Sequence, residues 1–144
     1  MRNAHFGSWM VFAASVGIVA LTAIGACGKL SSSVSGEAGK KLTLVAPADQ
    51  SITQGGTEAL AVVIVRKNFD DIVDFEINEL PSGITVAEGS KLSIPAGKLK
   101  SESVTLLAAV DASVVKNHRV SVTAKGPDGI AVTEYFRLTV KARE

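Results

Sequence analysis

Few side chains in this chain can do chemistry, and one of them stands alone: Cys27 is the only cysteine among 144 residues. It follows an apolar run, Trp9-Met10-Val11-Phe12-Ala13-Ala14 through Ile18-Val19-Ala20-Leu21, and precedes a Gly/Ser-rich stretch. A thiolate is the strongest nucleophile available to accept an acyl or alkyl group, but a single thiol supports neither a disulfide nor a cysteine-based metal site. His118 with Ser121 and a nearby carboxylate resembles a triad only in composition, because no serine here sits on a strained turn. No enzymatic activity is expected. Hard oxygen ligands of the kind that bind Ca2+ gather at Asp70-Asp71, Asp74, Glu76 and Glu79. Asp74 and Glu76, however, alternate with Val73, Phe75 and Ile77, which lays them along a solvated strand face instead of converging them on an ion. No metal or cofactor is expected. Tyr135 is the only tyrosine, and one exposed ring is a thin basis for a sugar site.

The elements that position Cys27 are a leader and a linker. Arg2 and His5 ahead of the apolar run have the order of the n-region and h-region of a secretory signal peptide. A cut before Cys27 places small Ala26 at one recognition position but bulky Ile24 at the other, which suits ordinary signal peptidase poorly. Ile24-Gly25-Ala26-Cys27 instead resembles the lipobox of bacterial lipoproteins. That resemblance implies a diacylglyceryl group on the Cys27 thiol, cleavage before Cys27, and often acylation of the new amino group. Several chains on one residue are needed, since one chain at ~0.8 kcal/mol per buried CH2 anchors only marginally. The alternatives are a retained helix, because Ser8 to Ala26 nearly spans a bilayer, or an ordinary cut after Gly25 that leaves a free thiol. Gly28 is not the Asp that favours inner-membrane retention in some Gram-negative bacteria. The expected location is therefore extracytoplasmic, lipid-anchored to the bacterial cell membrane or outer membrane.

Removing residues 1–26 takes away only Arg2 from the 15 Lys and Arg that face 14 Asp and Glu, leaving the two signs equal. Nucleic acid is not an expected partner. His5 leaves with the leader, so His118 is the one remaining imidazole, and a two-histidine zinc site within one chain is excluded. The expected division is a signal peptide over 1–26, a flexible Gly/Ser tether over 27–40 with a reach on the order of 20 Å, and one domain over 41–144.

From Lys41 onward, short β-branched runs alternate with turn residues, and no stretch has helical period. Leu42 to Val45 meets Pro47, which belongs on an edge or at a kink. Leu60, Val62 and Ile64 alternate in the next run, then Val73, Phe75 and Ile77. Leu80-Pro81-Ser82-Gly83 predicts a type I turn with Pro second. Short runs Ile84-Thr85-Val86 and Leu92-Ser93-Ile94 follow. Val104, Leu106, Ala108 and Val110 alternate next, then Val120, Val122 and Ala124, and finally Phe136, Leu138 and Val140. About seven short strands read as an all-β antiparallel sandwich.

The turn words of residues 41–142 resemble bacterial immunoglobulin-like repeats: Gly55-Gly56 before a strand, Leu80-Pro81-Ser82-Gly83-Ile84, Ile94-Pro95-Ala96-Gly97 and Phe136-Arg137-Leu138-Thr139-Val140. The resemblance implies an immunoglobulin-like β-sandwich. Such repeats carry Gly-Thr-Tyr before the sixth strand. Here Lys116-Asn117-His118 stands in that place, which makes His118 the candidate to take over the tyrosine's hydrogen bond.

The expected function is a non-catalytic, lipid-anchored domain acting in protein interaction or envelope structure, with a protein or envelope partner besides the membrane. The alternative is a ligand-binding lipoprotein for polysaccharide or Ca2+. Register locates the candidate interaction face. For Val120 and Phe136 both to face inward, the loop between them needs an odd number of residues, which Pro127-Asp128-Gly129 supplies, with Gly129 left-handed. Arg119 then lies opposite Arg137, Ser121 opposite Tyr135, and Glu134 turns inward opposite Val122. Asp74 and Glu76 on the neighbouring strand are expected to compensate the two arginines, giving a face of Asp74, Glu76, Arg119, Tyr135 and Arg137.

Overall fold

The computed structural model describes residues 30–144. The leader, its boundary at residue 26 and Cys27 lie outside the described residues. Ten strands follow in order: β1 (Ser31–Ser35), β2 (Lys41–Val45), β3 (Gln50–Thr53), β4 (Thr57–Lys67), β5 (Val73–Asn78), β6 (Ile84–Val86), β7 (Leu92–Ile94), β8 (Leu99–Ala108), β9 (Val115–Lys125) and β10 (Ala131–Lys141). They form two five-stranded sheets, β1-β2-β4-β8-β6 and β3-β10-β9-β5-β7. Strands β2, β4, β8 and β6 occupy the A, B, E and D positions of an immunoglobulin sheet, and β5, β9 and β10 the C, F and G positions of its partner. The fold is an immunoglobulin-like β-sandwich.

Strand alternation builds the core. Leu42, Leu44, Leu60, Val62, Ile64, Val104 and Leu106 face it from one sheet, and Val73, Phe75, Val120, Val122, Phe136, Leu138 and Val140 from the other, all buried. Immunoglobulin domains pack a Trp of this sheet on a disulfide. Here the C-position strand carries Phe75, and aliphatic side chains replace the bridge.

Four expectations need correction. The expected tether of 27–40 does not run beyond Leu30: Ser31–Ser35 is a strand, paired antiparallel with β2 from Ser31↔Val45 to Ser35↔Lys41. Serine is polar but tolerates extended backbone, and β2 offers an open edge. Val34 packs on the core, and the Ser33 and Thr43 hydroxyls meet at 2.7 Å. Next, the sandwich is not wholly antiparallel. Pro47 ends β2, and the chain crosses to the other sheet, where β3 runs parallel to β10. The turn after Leu80 closes one residue later than expected: the Ile84 N–H donates to Pro81 O at 3.1 Å. Gly83 is then its third residue, with φ +83°, and a Cβ there would fall 2.6 Å from Ala112 Cα. Lastly, β8 ends at Ala108, and Val110 is exposed.

The three-residue loop between β9 and β10 forms as expected. The Gly126 N–H donates to Ile130 O at 2.8 Å, and both Asp128 (φ +58°) and Gly129 (φ +74°) are left-handed. The same loop recurs at Gly36 to Lys40, with the Gly36 N–H donating to Lys40 O at 2.8 Å and left-handed Ala38 (φ +54°) and Gly39 (φ +70°). The two loops pack together. A Cβ on Gly36 would fall 2.6 Å from Ile130 Cγ2, and Lys40 Nζ meets Asp128 Oδ2 at 2.6 Å.

One buried cation organises the opposite sheet connection. Arg66 continues the inward parity of Leu60, Val62 and Ile64 and is only 3% exposed. Its guanidinium donates to Gly97 O at 2.5 Å, Pro95 O at 2.8 Å and Ile94 O at 2.9 Å, clamping the β7–β8 loop. Its Nε is buried without a partner. Burial pushes this group below its ordinary value, while Asp70 and Asp71 act against that.

Candidate interaction face

The outer surface of the β3-β10-β9-β5-β7 sheet carries all five candidate residues, and strand pairing decides which of them meet. Across β9 and β10, Arg119 pairs with Arg137, Val120 with Phe136, Ser121 with Tyr135 and Val122 with Glu134, the expected register. Arg119 and Arg137 therefore share the outer face, and Glu134 is buried on the inner one. Tyr135 is 42% exposed, and the Arg119 guanidinium carbon lies 3.6 Å from its ring centroid. A cation over an aromatic face at that distance is attracted by the ring quadrupole, by about 0.5–1 kcal/mol at an exposed site.

The expected compensation by β5 does not occur. β5 does pair with β9, but Asp74 lies opposite Lys125 and Glu76 opposite Thr123, four residues along β9 from Arg119. Glu76 Oε1 meets Lys125 Nζ at 3.0 Å. The Lys125 ammonium holds the Glu76 carboxyl below its ordinary range. The only other ion pair among the described residues is Lys40–Asp128, so Arg119 and Arg137 have no carboxylate partner there. The predicted face is thus two poles. Asp74, Glu76 and Lys125 line a cleft with Ser90, Lys91 and Ser93 beside β7. Arg119, Tyr135 and Arg137 line another with Leu30, Asp49 and Asn117 beside β3. The Asp49 Oδ1 in this cleft accepts the Arg137 backbone N–H at 2.8 Å.

The two histidine readings also resolve. His118 shares the parity of Val120 and Ser121 that of Arg119, so they point to opposite faces and assemble no triad. The His118 Nε2 lies 2.7 Å from Glu79 O and ties the start of β9 to the end of β5. That contact reaches a different strand's end, whereas a tyrosine corner bonds a few residues upstream on its own connection. Among the described residues, no three His, Cys, Asp or Glu side chains converge as ligands.

Sequence reasoning missed Leu30. It falls within the expected tether, yet it is 77% exposed and forms part of the arginine cleft. A bulky apolar residue within a Gly/Ser stretch was its only signal.

No protein-family model and no curated protein sequence matches the chain. Among solved structures, it is similar to a chimeric titin Z1Z2 functionalised with a KLER exogenous peptide from decorin, at 17% identity and TM-score 0.41, covering 71% of this chain and 95% of that one. It is also similar to the BIgI domain of the beta protein from S. agalactiae bound to CEACAM1, at 14% identity and TM-score 0.41, covering 73% and 99%. Strand order and register establish the immunoglobulin-like fold.

Proposed function

We propose that the protein is a non-catalytic, lipid-anchored domain on the outside of a bacterial membrane, held through Cys27 and acting by binding a protein or envelope partner. The anchor is supported by the charged n-region, the apolar run and Ile24-Gly25-Ala26-Cys27. The binding role is carried by one observation: on the outer face of β10-β9-β5, Arg119 and Arg137 lie directly opposite each other with no salt-bridge partner among the described residues, while Glu76 is already paired with Lys125. A merely solvated face intersperses its signs, because like charges placed directly opposite are destabilising. Retaining such a pair is a local cost that a ligand can offset.

Cys27→Ser tests the anchor. The variant should leave the membrane fraction or stay unprocessed, and processing and fractionation identical to wild type would refute it. The face is tested by cross-linking in intact cells from a photoreactive residue placed at Ser93. A discrete adduct that Glu76→Lys removes is expected. No adduct from any position on this face would refute the binding role.

A further inference from the structure

The guanidinium pole lies where the anchor must be. β1 begins at Ser31, so only Gly28, Lys29 and Leu30 separate Cys27 from the sandwich, where a tether of a dozen residues was expected. The four extended steps from Cys27 to Ser31 span at most about 14 Å. Leu30 itself lines the cleft with Arg119, Tyr135, Arg137, Asn117 and Asp49. If Cys27 is acylated, Leu30 and the cleft it lines are held to the bilayer surface within that reach.

We infer that the Arg119–Tyr135–Arg137 cleft docks on anionic phospholipid of the membrane that holds Cys27, laying the domain on its side and turning the Asp74–Glu76 pole outward. This rests on the anchor proposed above. Among the described residues the Arg137 guanidinium has no carboxylate partner, and Arg119 lies over the Tyr135 ring. Guanidinium forks of this kind match phosphate oxygens bidentately. Tyr135 and Leu30, both exposed, supply the amphipathic ring and apolar side chain that favour the interface. Asp49 is the one carboxylate in the cleft, and its Oδ1 is held by the Arg137 amide. A flat membrane touching only the β3 side would meet the two arginines without reaching Asp74 and Glu76. Near an anionic surface each basic residue strengthens association about fivefold, so removing either arginine should weaken it by about that factor.

The test uses the processed protein purified from membranes, with acylation of Cys27 read by mass in the same sample, reconstituted into vesicles of phosphatidylcholine with or without phosphatidylglycerol. Trp9 belongs to the leader and no other Trp is present, so Tyr135→Trp gives the processed domain a single indole, with Ser93→Trp as the control at the other pole. Brominated lipid should quench the indole at 135 strongly, more with phosphatidylglycerol than without, and the indole at 93 weakly. Adding Arg119→Ser and Arg137→Ser should bring the two positions level. Equal quenching at 135 and 93 in acylated protein, or quenching indifferent to phosphatidylglycerol, overturns the docking while leaving the anchor intact. Absence of acylation overturns both. An oligoglutamate peptide that protects the β9 and β10 amides from exchange in detergent, where anionic vesicles do not, assigns the cleft to an acidic protein segment and also overturns it.

Discussion

Removing the buried guanidinium of Arg66 should destabilise the domain by about 2 kcal/mol. Three charge-assisted bonds are each worth about 1.5–3 kcal/mol, and they stand against several kcal/mol for desolvating the cation. Arg66→Met removes both contributions, keeps most of the apolar stem and leaves three carbonyls without a donor. Those of Pro95 and Gly97 are only part-buried, so water takes over much of the lost bonding. The Ile94 carbonyl is buried, and an unsatisfied buried acceptor costs about 1–3 kcal/mol. The unpartnered Nε is relieved by the same change, which keeps the net effect near the middle of that range. For a domain of this size 2 kcal/mol corresponds to roughly 6–12 °C in Tm. Arg66→Lys should fall at least as far, since one compact ammonium stays buried yet cannot span three carbonyls. Thermal and urea unfolding followed by far-UV circular dichroism on the full chain in non-ionic detergent reads the effect. A Tm for Arg66→Met at or above wild type would refute the clamp as a stabilising device, because desolvation would then outweigh the bonds.

Other outcomes follow from the same structure. Phe75→Ala or Phe136→Ala, each removing a ring only 2–3% exposed, should cost about 3–5 kcal/mol, and a Tm within about a degree of wild type would contradict the assigned faces. Ala38→Gly should raise stability by about 0.5–1 kcal/mol in denaturant titration, because Ala38 is held at φ +54° where glycine is unstrained; destabilisation would contradict the loop. Glu76 and Glu88 are both held below their ordinary value of 4.5, the first by Lys125 and the second chiefly by the Thr105 N–H. A carboxyl whose folded value is depressed contributes stability that is complete above its unfolded value and is lost as pH falls through the folded one. Stability should therefore decline on acidification below about pH 4.5, and Glu88→Gln should flatten that decline, with urea midpoints as the measure.

The sequence alone determined most of the residues that face the core, since alternation of Phe75, Val120, Phe136 and their neighbours is a local, period-two signal that survives whatever the strands pair with; Val110, beyond the end of β8, and the buried charge of Arg66 are the exceptions. It also determined the β9–β10 register, because a three-residue loop leaves its flanking strands one arrangement. Arg119 opposite Arg137 was therefore legible, as was the buried position of Glu134. The β5–β9 register was not. The two strands are joined through β6, β7 and β8, and sliding one past the other by an even number of residues keeps every side chain on its proper face. Alternation fixes such a register only modulo two. The four-residue offset that hands Glu76 to Lys125 and leaves the arginines free was settled by packing across the whole sandwich. The same holds for Ser31–Ser35, whose composition suits a tether and a strand equally. Only the open edge of β2, formed when the rest of the chain has folded, gives those backbone groups a partner and brings Leu30 against the arginine cleft.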